Sequence, residues 1–178
     1  MGAVHFSIDV SLVEILKRAL PLEVFVETGT FKGDGVQQMR SLFQELYTVE
    51  SSAEYYERAC ERFKSDPAIH VFHDTSAKLL RKMMPRLASR SVLYWLDAHW
   101  CGEELGADVP QCPLLDELAA IGHLNEQSVL LIDDARLFLA PPAAPHSLEQ
   151  WPSLDLVLKG LRSLSPAHEI LALNDVFI

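Results

Sequence analysis

Three acidic residues stand where apolar runs end: Asp97 in Val92-Leu-Tyr-Trp-Leu-Asp97, and Asp133 and Asp134 in Val129-Leu-Leu-Ile-Asp-Asp134. A run of this kind reads as a strand buried on both faces, and its carboxyl end is the ligand-binding edge of an open α/β sheet. Two neighbouring strands could aim all three carboxylates at one point. Like charges that close repel, so a divalent cation such as Mg2+ is the simplest partner between them. Helix capping is the competing explanation, because aspartate is favoured where a strand hands over to a helix.

A second group of candidates surrounds a glycine turn, Glu27-Thr-Gly-Thr-Phe-Lys-Gly-Asp-Gly35. Gly29 and Gly33 would let backbone approach a ligand at the start of a helix. The spacing is neither the dinucleotide G-x-G-x-x-G nor a phosphate-binding loop ending in G-K-[ST]. Glu27 would repel a pyrophosphate but could hold an ammonium, which favours a cofactor bearing an amino acid moiety. The turn can also be read as a tight strand-to-helix connection whose glycines serve packing. Glu50 follows about twenty residues on, the offset at which an acid binds ribose hydroxyls in nucleotide-binding α/β folds. It equally suits the start of the helix beside Ser51 and Ser52. Asp74 could accept from an exocyclic amine, and Ser76 could cap the helix behind it.

These residues must be held by an alternation that runs from end to end. Helical spacing over Ser11 to Leu20, Gly35 to Gln44, Ala53 to Lys64, Ala77 to Leu87, Leu114 to Leu124 and Leu154 to Leu164 alternates with apolar runs at Val24 to Val26, Leu46 to Val49, Ile69 to Phe72, Val92 to Leu96, Val129 to Ile132 and Glu169 to Leu173. Such alternation predicts an α/β fold, a parallel sheet with helices on both faces and right-handed crossovers. At 178 residues one domain is expected. Two irregular stretches, Cys101 to Pro113 and Leu139 to Pro152, follow the strands that carry the carboxylates and have the length of functional loops.

Composition narrows the partners. A net charge of −10 argues against gripping nucleic acid or an anionic membrane and favours a small neutral or cationic ligand. With no signal-peptide pattern and no run of about 18 apolar residues, a soluble cytoplasmic protein is expected. The three cysteines do not form a secreted disulfide framework. His99, Cys101, Cys112 and His123 are soft ligands at spacings poor for a zinc module, and Cys101 with Cys112 could form a disulfide.

Glu27-x-Gly-x-x-x-Gly, acidic Glu50, Asp74-Thr-Ser76, Leu96-Asp-Ala-His-Trp100 and Leu131-Ile-Asp-Asp134 occur in an order that resembles the class I S-adenosylmethionine-dependent methyltransferases, over roughly Val24 to Ala135. The similarity is greatest to the metal-dependent O-methyltransferases of the catechol type and to those that methylate macrolide sugars, in an uncharacterised branch. The resemblance implies a Rossmann-like single domain and S-adenosylmethionine as cofactor. Gly29 and Gly33 would flank the methionine part with Glu27 near its amino group; Glu50 would bind the ribose; Asp74 and Ser76 would lie by the adenine. Asp97, Asp133 and Asp134 would hold the metal. The Asp-Asp pair matches the sugar-modifying type, which points to a sugar-like or other diol acceptor. One departure is plain: the catechol type continues to a lysine base, whereas this chain reads Asp97-Ala-His-Trp-Cys101.

A metal held by Asp97 and its partners would acidify a substrate hydroxyl and orient it for in-line attack. His99 is then the candidate base, titrating near neutral pH, although a histidine with a structural hydrogen bond fits the same position. Trp100, His146 and Trp151 are candidate substrate contacts, and Trp151 could instead anchor the proline-rich loop. A small-molecule acceptor and a second copy of the chain are the expected partners. Two other readings use the same fold: a cofactor-binding module without catalysis, and an enzyme acting on a nucleotide-sugar or with a nicotinamide cofactor.

Overall fold

The computed structural model describes residues 7–99, 110–140 and 142–178. Five strands, β1 (Val24–Thr28), β2 (Glu45–Glu50), β3 (Ile69–His73), β4 (Val92–Leu96) and β5 (Val129–Ile132), pair in parallel in the order β3-β2-β1-β4-β5. Helices α1 (Val10–Ala19), α2 (Asp34–Met39), α3 (Ala53–Phe63), α4 (Ser76–Leu87), α5 (Leu114–Ile121), the single turn α6 (Arg136–Leu139) and α7 (Leu154–Leu164) cover both faces. Aligned register along β1 and β4 brings Thr28 opposite Leu96, so Gly29 and Asp97 emerge side by side.

Alternation along the strands divides the core in two. Val24, Val26, Tyr94, Leu96, Leu130 and Ile132 pack toward α4, α5 and α7. Phe25, Leu46, Leu93, Trp95, Val129 and Leu131 pack with Val13, Val36, Met39 and Phe63 from α1, α2 and α3. The central β4 and β5 are buried along their whole length and carry no charged residue, the pattern required of parallel strands covered on both sides.

Three boundaries depart from the sequence reading. Helix α2 stops at Met39, where Leu42 and Phe43 N–H both turn back to the Met39 carbonyl. Helix α5 stops at Ile121 because Gly122 takes a positive φ of 65°. Beyond α7, the expected strand from Glu169 narrows to β6 (Ala172–Leu173), and the chain reverses into β7 (Val176–Phe177), which pairs antiparallel with both β5 and β6. The sheet is therefore not wholly parallel; its order is β3-β2-β1-β4-β5-β7-β6. Asn174 and Asp175 make the turn with φ of 50° and 69°, the conformation of a tight two-residue hairpin and one that these residue types tolerate. No described helix is long and apolar enough to cross a membrane.

Candidate functional site

The carboxyl end of the sheet gathers most of the expected residues. At the end of β1, Gly29 has a φ of 82°, and a Cβ there would lie 2.3 Å from the Asp97 carbonyl oxygen. Only glycine permits that approach of the turn to β4. Gly33 has a φ of 80° at the start of α2, where a Cβ would meet the Phe63 ring.

Glu27 is buried beneath α2. Its Oε2 accepts from Thr48 Oγ1 at 2.7 Å, Thr48 is 2.6 Å from Thr30 Oγ1, and the Val36 N–H donates to the same carboxyl. Gly35 makes the room: a Cβ there would fall 2.1 Å from Glu27 Oε1. Burial outweighs these donors and pushes the Glu27 carboxyl up to about 8.

Glu50, at the end of β2, is committed on both oxygens to backbone. Its Oε2 accepts the Phe31 N–H of the glycine turn at 2.8 Å, and Oε1 accepts the Ser52 N–H at 2.9 Å. It thereby ties the turn to the start of α3, and each oxygen keeps a second lone pair for a ligand hydroxyl. Asp74 ends β3 with Oδ1 on the Thr75 N–H at 2.9 Å and Oδ2 on Lys82 at 2.5 Å, and the Lys82 bond holds its carboxyl below the usual range. The expected cap by Ser76 is not made: Thr75 holds the N-cap position, and the buried Ser76 hydroxyl donates to Glu117 of α5 instead.

Asp97, Asp133 and Asp134 converge at the ends of β4 and β5, close enough for their charges to interact. Burial first, then Asp133, Glu27 and Asp134, lift the Asp97 carboxyl well above its ordinary value. Burial likewise pushes Asp133 up to about 7. Among the described residues no group of three or more histidine, cysteine, aspartate or glutamate side chains is placed to hold a metal ion. Two side chains explain why. His99 stands between the carboxylates, with Nδ1 3.5 Å from Asp97 Oδ1 and Nε2 3.3 Å from Asp134 Oδ2. Arg136 pairs with Asp134 and with Asp175, so a protein cation already neutralises this end of the cluster.

Asp134 adopts a φ of 53°, and its side chain reaches both His99 and Arg136. The hairpin turn fixes the arrangement, since the Asp175 carbonyl accepts the Ala135 N–H at 2.8 Å and its Oδ1 accepts the Arg136 N–H at 2.7 Å.

His99 is buried, and burial lowers its pKa to about 4 against the opposing pull of Asp134. At neutral pH it is an uncharged imidazole. Trp151 packs against it with ring centroids 5.7 Å apart, and His146 meets the far edge of Trp151 at 5.1 Å. Trp151 is thus both a core anchor and a wall of the site. Gln111 holds this loop, its Oε1 accepting from the Ser147 N–H at 2.8 Å and from Trp151 Nε1 at 3.2 Å. Trp100 and Cys101 lie outside the described residues; Cys112, by contrast, is a free thiol that burial pushes up to about 12, unsuited to nucleophilic work.

Strand order and the antiparallel β7 define the class I methyltransferase fold. No family model and no curated protein matches the chain. Solved structures do. The chain aligns over 96% of its length with 82% of a candidate caffeoyl-CoA O-methyltransferase from Staphylococcus aureus, at 12% identity and a TM-score of 0.61. It aligns over 91% with 86% of a candidate methyltransferase from Streptococcus mutans in complex with SAH, at 10% identity and a TM-score of 0.59. An S-adenosylmethionine-dependent methyltransferase from Clostridium acetobutylicum aligns over 73% of this chain, which spans 50% of that protein's length, at 15% identity and a TM-score of 0.50. At these identities the likeness is one of fold.

Proposed function

We propose that the protein is an S-adenosylmethionine-dependent methyltransferase that methylates a hydroxyl of a small diol or sugar-like acceptor. The observation that carries this reading is the pairing of a glycine turn with buried carboxyls. Glu27 and Asp97 flank Gly29, and a ligand bearing an ammonium and a sulfonium supplies the positive charge that this pair lacks. A cationic ligand draws these two carboxyls into their charged form and a dinucleotide pyrophosphate does not, which disfavours the nicotinamide reading. The methyltransferase neighbours in fold support the choice.

When bound, S-adenosylmethionine supplies an electrophilic methyl carbon on sulfur, whose bond to sulfur breaks as the acceptor oxygen attacks and whose electron pair remains on the sulfur. The chain's own residues bind and orient. Glu50 receives ribose hydroxyls on its free lone pairs, Gly29 and Gly33 admit the methionine portion beside Glu27, and Asp74 and Ser76 border the adenine.

His99 accepts the hydroxyl proton. It is neutral at pH 7, and the carboxylate of Asp134 beside Nε2 stabilises the imidazolium that forms, while Asp97 beside Nδ1 orients the ring. A divalent metal on Asp97, Asp133 and Asp134 would require His99 and Arg136 to withdraw, so the proton step is assigned without one.

Calorimetric titration with S-adenosylhomocysteine, and separately with a nicotinamide dinucleotide, tests the assignment: the first binds and the second does not.

A further inference from the structure

Glu117 has no part in the chemistry above, yet it is built in at some expense. It lies 2% exposed on the buried stripe of α5 formed by Leu114, Glu117, Leu118 and Ile121, where a leucine would be the ordinary choice. Hydroxyls of Ser76 and Thr28 donate to its carboxyl, and Thr28 Oγ1 also accepts the Asp97 N–H at 3.2 Å. Glu117 is therefore joined through a single residue to the backbone that carries the proton-handling pair. Its Oε1 nevertheless has no partner among the described residues. A buried acceptor left without a donor is costly, and a bound ligand that brings the donor explains it.

Glu117 lines a small recess of about 10 Å³, water-sized, at the ends of β4 and β5, bounded by Leu96, His99, Leu114, Ile132 and Phe138. His99 Nε2, though 3.3 Å from Asp134, is not aligned with it as a hydrogen bond, so two unsatisfied polar atoms belong to residues of one apolar cavity. The space suits one small group rather than a whole substrate. The Glu117 carboxyl that lines it offers an anion no hydrogen-bond donor.

Resting on the methyltransferase reading, we propose that this recess receives a single hydroxyl of an uncharged acceptor, the neighbour of the one that is methylated, with Glu117 Oε1 accepting its hydrogen bond. Glu117 is a specificity residue in this arrangement: it reads a donor and excludes carboxylates and phosphates. Burial pushes its carboxyl up to about 7, so its charge is held weakly until such a donor arrives.

Saturation-transfer NMR titrations test this with two probe pairs, catechol against salicylate and methyl glucoside against methyl glucuronide, on the full chain with and without S-adenosylhomocysteine. At least one neutral probe binds the wild type about tenfold or more tightly than its carboxylate partner, a ratio that one lost hydrogen bond and a repelled charge readily supply. Glu117→Gln keeps an acceptor oxygen for Ser76 and Thr28, retains the neutral probe and loses most of the discrimination. Glu117→Met loses the neutral probe about tenfold while S-adenosylhomocysteine affinity stays put. Equal binding of both members of each pair to wild type, binding of neither, or unchanged neutral-probe affinity in Glu117→Met overturns the proposal. A fall in S-adenosylhomocysteine affinity with probe binding intact also overturns it, by assigning the carboxyl to the cofactor. Wild type that binds neutral probes but not S-adenosylhomocysteine supports the cavity assignment and strikes the cofactor reading instead.

Discussion

The Glu27 carboxyl occupies the space that a side chain at position 35 would need, with Oε1 2.1 Å from where a Gly35 Cβ would stand. A glycine at the second position of a helix is usually a weakness. Here it lets a carboxyl sit under the helix N-terminus, where the Val36 N–H reaches it. Gly35→Ala should therefore destabilise the ligand-free protein by about 1 to 3 kcal/mol, the cost of overpacking, despite alanine's better helix propensity. Urea denaturation measures it, and a stabilised variant would show that Glu27 moves away freely.

Stability should also carry the signature of Glu27 in its pH dependence. The carboxyl ionises near 4.5 when unfolded and near 8 in the fold, so between those values unfolding releases a proton. Raising the pH through that window lowers stability, and the loss is complete above about 8. Glu27→Gln should flatten the slope by up to about 1.4 kcal/mol per pH unit. Identical slopes in the two proteins would show that Glu27 is not protonated in the fold.

The C-terminal hairpin is predicted to govern the site through Asp175. Its Oδ1 bond to the Arg136 N–H caps the turn after Asp134, and its Oδ2 holds the Arg136 side chain. Asp175→Ala should cost about 0.5 to 2 kcal/mol. It should also free the carboxylates around His99 to regroup, so that magnesium raises the melting temperature of the variant but not of the wild type. A chelator should leave wild-type melting unchanged.

His99→Ala should lower turnover on a verified acceptor by about 10²- to 10⁴-fold with little change in cofactor affinity. Full turnover in the variant would remove His99 as the base and turn attention to His146 across Trp151.

Much of this architecture was legible because buried parallel strands announce themselves. Val92 to Leu96 and Val129 to Ile132 matched the strands residue for residue, and the acids ending them did converge. What escaped was set by tertiary context. Two-residue strands at Ala172 and Val176 carry too little pattern to recognise, and their hydrogen bonds depend on β5 being adjacent. Arg136 reads as an ordinary helix residue until Asp175 folds back onto it. Glu117 gave a signal that was passed over, an acid within the spacing of Leu114, Leu118 and Ile121, where an exposed position is not available. The three acids were legible at the ends of their strands, whereas the cation and imidazole that the fold places beside them depend on contacts no local pattern announces.

Calorimetric binding of S-adenosylhomocysteine to wild type and Glu50→Ala tests the central claim most directly. The account predicts saturable binding to wild type, weakened by about 1.5 to 3 kcal/mol in the variant, the usual worth of hydrogen bonds to a charged group. Absence of binding to the wild type, or tighter binding of a nicotinamide dinucleotide in the same cell, would contradict it.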